Sequence, residues 1–198
     1  MAVILAWGSM AWDSRRGDLI FWGGGHANYA GNEVYRWRSS SLLWERASLP
    51  SEVVRLASGQ YETVDGIFNA PISAHTYDNS EYLPLIDRFV TFGGAAYNTG
   101  GPFILSDRSG LTGPYLWDPS RGNGEQVGGI TGSHANPPMF PDVIGGRMWQ
   151  NRNTLKPASA LDRYPGDGQF GFGSATTGYV QENGKDVIYI GELGDLWR

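Results

Sequence analysis

Apolar and polar positions alternate in short runs along this chain, and the runs are separated by clusters of turn residues. Residues 10–13 form the first run, and Ser14, Arg15, Arg16 and Gly17 turn the chain. Residues 18–24 form the second run and lead into three consecutive glycines. A polar loop covers residues 26–32, a third run residues 33–38, a serine turn residues 39–41, and a fourth run residues 42–49. Aromatic and aliphatic residues dominate the runs, and Gly, Asn and Ser fill the gaps. The pattern predicts a four-stranded antiparallel meander over residues 10–50, the unit that propellers repeat around an axis.

The pattern returns downstream. Residues 73–78 parallel the first run, with Tyr77 and Asp78 in place of Trp12 and Asp13. Residues 88–94 parallel the second and 114–118 the third, while residues 125–131 are predicted as a fourth strand that lacks a tryptophan. Residues 51–69 read as an ordered excursion with room for a short hairpin. Residues 132–172, rich in Pro, Gly and Asn, are predicted as a long functional loop excursion. A third unit begins at residue 173, with strands over 174–180 and 186–191 joined at Asn183-Gly184, a hairpin signal. Residues 194–198 begin another strand. No stretch carries a capped 3.6-residue apolar period, so almost no helix is expected. The predicted class is all-β, as one segment: unit one at 10–50, unit two at 73–131, the excursion at 132–172 and a partial third unit at 173–198.

One stretch carries a family resemblance. Gly23-Gly24-Gly25, Tyr35 and Trp44 occur in that order. This resembles a kelch blade of the galactose-oxidase-like β-propeller type, which closes its second strand with Gly-Gly and carries a Tyr in the third strand and a Trp in the fourth. The resemblance implies that Tyr35 and Trp44 fill the gap between neighbouring blades and that Gly24 has a conformation or contact that excludes a Cβ. Two units and part of a third cannot close a propeller of about four to eight blades. Missing blades or other chains are therefore expected to complete it.

Composition narrows the function classes. Of 198 residues, 40% are hydrophobic and 18% charged, enough apolar material for a core. Net charge is −5 and the basic residues are scattered, which argues against nucleic-acid binding. The absence of cysteine removes disulfides, thiolate metal sites and the copper–tyrosine–cysteine chemistry of galactose oxidase. Residues 1–7 are apolar but too short to span a membrane, and no basic segment precedes them, so neither membrane insertion nor export is expected from this sequence. Localisation stays open between a component of a larger particle, such as a phage virion or tail, and an excerpt of a secreted protein.

Strand direction places the candidate site. Loops between strands two and three, and between successive units, emerge at one end of a propeller. His26, Asn28, Tyr29, His75, Tyr97, Asn98, His134 and Trp149 are expected at that end, with the short turns at the other. Each residue also has an ordinary reading: loop histidines satisfy backbone groups, and asparagines form turns. No HxH or HxxxH pair supports a metal, no GxSxG supports a hydrolase, and no cofactor is implied. The expected function is a non-catalytic binding or structural module that takes a carbohydrate or protein on its loop-rich face. The alternative is a fragment of a galactose-oxidase-like or glycan-processing enzyme.

Overall fold

The computed structural model describes residues 7–24, 30–57, 59, 61–95, 103, 113–125, 145–152, 176–192 and 194–198. The chain is all-β. Strands β1 (Gly8–Asp13), β2 (Asp18–Gly23), β3 (Val34–Arg38) and β4 (Leu43–Ser48) form an antiparallel meander in sequence order. A small hairpin follows, β5 (Val53–Arg55) with β6 (Tyr61–Thr63). The second meander is β7 (Ser80–Leu83), β8 (Arg88–Thr91), β9 (Tyr115–Trp117) and β10 (Trp149–Asn151). The third is β11 (Thr176–Glu182), β12 (Lys185–Glu192) and β13 (Asp195–Trp197). A four-residue α-turn, α1 (Gly145–Met148), leads into β10.

Local chemistry explains the turns. The three four-residue turns, at 14–17, 39–42 and 84–87, each end on a left-handed residue: Gly17, Leu42 and Asp87. Gly17 N–H bonds to Asp13 O and Leu42 N–H to Arg38 O, both at 2.8 Å. Asp13 is buried because its carboxylate accepts the N–H groups of Arg15 and Arg16. The 183–184 turn has φ of 49° at Asn183 and 73° at Gly184, the two left-handed residues that a two-residue hairpin favours.

The meanders stack face to face, with β1 against β7 and β7 against β11. Between the first and second lies the main core: Ala11, Ile20, Trp22 and Val34 on one side, Tyr82, Phe89, Trp117 and Trp149 on the other. Between the second and third lies a smaller one, where Leu83, Val90, Phe92 and Leu116 meet Ile190, Tyr179 and Ile188. Polar clamps fix both interfaces. Arg36, fully buried, donates to the Pro119 and Gly122 carbonyls and pairs with Glu45. Arg16 grips Asp87 through two 2.7 Å bonds, and Asp186 accepts the N–H groups of Leu85 and Ile86. The arrangement is consistent with an incomplete propeller, and the described strands close no barrel.

Several expectations change. Residues 73–78 are not the first strand of unit two. Residues 70–76 are a buried, extended lead-in, and the strand begins at Ser80. Periodicity misled here, because Tyr77-Asp78 resembles Trp12-Asp13 in type but not in register. The fourth strand is Trp149–Asn151, within the segment expected as loop, and it supplies the missing tryptophan. Asp78 precedes its strand and bridges to Thr176 of the third meander. Trp44, expected between blades, is 43% exposed, because no meander stacks on its side of the first meander among the described residues.

Candidate functional site

The loop-bearing end is built where β1 starts and where β2 and β8 finish. Gly23 and Gly24 end β2 with φ of 92° and 95°, backbone that suits glycine. Gly93 follows β8 at φ 86°, and a Cβ on Gly94 would lie 1.9 Å from the His75 carbonyl oxygen. These glycines let the lead-in pass between the meanders. His75 N–H bonds to Ala95 O at 2.7 Å and Ala95 N–H to His75 O at 3.1 Å. Thr76 Oγ1 donates to Trp22 O at 3.4 Å.

Three aromatic rings meet on this lead-in. Trp7 lies 4.7 Å from His75, centroid to centroid, and Tyr77 meets the same imidazole edge-on at 6.3 Å. His75 is 7% exposed, whereas Trp7 and Tyr77 are 44% and 42% exposed. Both exposed aromatics have left-handed backbones, φ 61° at Trp7 and 51° at Tyr77. That conformation costs a bulky residue about 1–2 kcal/mol. A 3.1 Å bond from Tyr77 N–H to Trp7 O ties the two strained residues together. Strained backbone held by its surroundings is a feature that clusters at ligand sites.

The expected residues fare unequally. His26, Asn28 and Tyr29 lie outside the described residues, as do Tyr97, Asn98 and His134. The described flanks of their loops, Gly24 with Ala30 and Ala95, emerge at the His75 end. Trp149 leaves the expected site altogether. It is buried in β10 against Trp22, and its indole N–H donates to Asn32 O at 3.4 Å. The sequence reading missed Trp7 and Tyr77 as a pair, since neither residue type announces a left-handed backbone.

Elsewhere the described surface carries an open hollow. A hollow of about 230 Å³, open to solvent, is lined by Thr63, Ala70, Ile72 and Phe103. Among the described residues no three His, Cys, Asp or Glu side chains gather in a metal-binding group. No described helix is long and apolar enough to cross a membrane. Comparison with protein-family models, curated proteins and solved structures finds no match in any of the three.

Proposed function

We propose that the chain is a non-catalytic binding module of kelch-like, propeller type, and that its loop-bearing end takes a carbohydrate. The observation that carries this reading is the pair of exposed, left-handed aromatics, Trp7 and Tyr77, braced by the buried His75 ring. Two half-exposed flat rings held at fixed angles suit the apolar faces of sugar rings. The rings are already held by backbone bonds, so a ligand would meet them with little further ordering. The kelch-like part of the reading is supported by recurrence. Gly93-Gly94, Tyr115 and Trp149 take the strand positions in the second meander that Gly23-Gly24, Tyr35 and Trp44 take in the first.

A glycan array probed with the labelled chain tests the proposal. The expected result is binding that is lost in Trp7→Ala and Tyr77→Ala and retained in Arg15→Ala, which alters the opposite end. Binding that survives both aromatic changes and disappears in Arg15→Ala would move the working face to the short turns. An array without signal, with a protein captured through the same two aromatics, would replace the carbohydrate with a protein partner.

A further inference from the structure

The uncovered side of the first meander is the register counterpart of a side that is buried in the second. The first hairpin turns fix the alignment: Asp13 and Asp18 flank one, Leu83 and Arg88 the other. Counting from them, the cross-strand row Trp12, Leu19, Trp37 and Trp44 matches Tyr82, Phe89, Trp117 and Trp149. In the second row Phe89 and Trp117 are completely buried, whereas in the first Trp12 is 53% exposed. A row of three tryptophans and a leucine across four strands is a large apolar patch, of the kind that marks an interaction surface.

The fold also shows what covers such a row. The Tyr82–Trp149 row packs under the opposite side of the preceding meander, through Ala11, Ile20 and Trp22. The same hairpin alignment puts Val180, Val187 and Tyr189 of the third meander in those three positions. That side of the third meander has no meander stacked on it among the described residues. It exposes Val180 and Leu196, Gly178 there faces open space, and Val187 is buried beside them. The stack therefore ends in two unlike faces, each matching one half of its own internal interface. Among the described residues an aromatic row stands at one end and a Val- and Gly-bearing face at the other.

We infer that a second copy of this chain covers the Trp12–Trp44 row with its third meander. The contact is head-to-tail, and a pair of copies makes it twice. Heterologous contacts give closed rings when the rotation closes. The three described meanders, doubled, give six, within the about four to eight blades that close a propeller. The inferred assembly of the 198-residue chain is thus a twofold dimer. This inference rests on the propeller part of the proposed reading and not on the carbohydrate.

Light scattering over a concentration series of the 198-residue chain tests it. The expected species has twice the 21.6 kDa chain mass. Trp12→Glu and Val180→Glu each spoil one face, sit on exposed positions and should fold normally by circular dichroism. Each alone should associate at least about tenfold more weakly. An equimolar mixture of the two variants should regain dimer, because a mixed pair keeps one intact interface. A wild-type chain that stays monomeric, a trimer or open polymer, or a mixture that stays monomeric would overturn the inference. Undiminished association of Trp12→Glu would overturn it as well.

Discussion

Replacing Asp87 by Asn isolates the charge that clamps the first two meanders together. Asp87 accepts both terminal nitrogens of Arg16 at 2.7 Å and the Tyr82 hydroxyl at 2.7 Å. The Arg16 bonds hold its carboxyl well below the usual carboxylate range, burial opposes them, and Tyr82 adds to the lowering. Asn tolerates the left-handed backbone at this position, φ 55°, so the change adds no strain. Hydrogen bonds to charged groups contribute about 1.5–3 kcal/mol each. Asn retains an acceptor for one bond, Arg16 keeps Asp13, and the partial exposure of Arg16 draws the pair toward surface values. The net loss should be about 2 kcal/mol, or roughly 4–8 °C in melting midpoint for a chain of this size. Urea unfolding of wild type, Asp87→Asn, Arg16→Gln and the double variant gives the coupling, expected at about 1–2 kcal/mol. Because the folded pKa is depressed, the contribution is fully present above the unfolded value of about 3.9 and declines as pH falls below it. The gap between wild type and Asp87→Asn should therefore be flat from neutral pH to about pH 5 and shrink below pH 4. A coupling under about 0.5 kcal/mol, with a gap that ignores pH, would refute the clamp.

Three further outcomes follow from the packing. Phe89→Ala removes a fully buried ring and should cost about 3–5 kcal/mol, whereas Trp44→Ala in the dilute chain should cost less than about 1 kcal/mol; equal losses in urea unfolding would undo the stacking order. Gly94→Ala forces a Cβ onto the His75 carbonyl and should cost at least about 2 kcal/mol, while Gly184→Ala, with open space around it, should show only the roughly 1–2 kcal/mol of left-handed strain. Burial raises the pKa of Glu81 and Asp78 adds to it, with a Thr177 hydrogen bond in opposition, so the ionised carboxylate destabilises the fold at neutral pH. Glu81→Gln should then raise the melting midpoint at pH 7 by about 1–2 °C, with the gain shrinking only as pH falls through the folded pKa toward the unfolded value; a lowered midpoint would contradict it.

Fold class was legible in the sequence because turns and alternation are local. The runs at 10–13 and 18–24, the turns at 14–17 and 39–41, and the Asn183-Gly184 hairpin all correspond to observed elements. The second meander was not legible at its ends. Ser80–Leu83 is too short to show a period, and its partners Val90 and Phe89 decide its role through pairing that no local pattern shows. Trp149 joins Trp117 across 32 positions of chain, so its loop-like surroundings hid a strand. Gly122 sits in a turn by composition, yet a Cβ there would meet the Trp117 ring at 3.1 Å. Of the site, strand direction located the end but not the aromatics, because Trp7 and Tyr77 depend on backbone conformation and not on composition.

The central claim is that equivalent aromatic rows are sealed in the second meander and open in the first. Fluorine NMR on 5-fluorotryptophan-labelled chain, assigned by single Trp→Phe changes and read with a soluble relaxation agent, tests it most directly. In dilute solution Trp22, Trp117 and Trp149 should be protected and Trp7, Trp12 and Trp44 strongly relaxed. On concentration Trp12 and Trp44 should become protected while Trp7 stays open. Uniform relaxation of the tryptophans, or a Trp12 as protected as Trp117 in dilute monomer, would contradict the account.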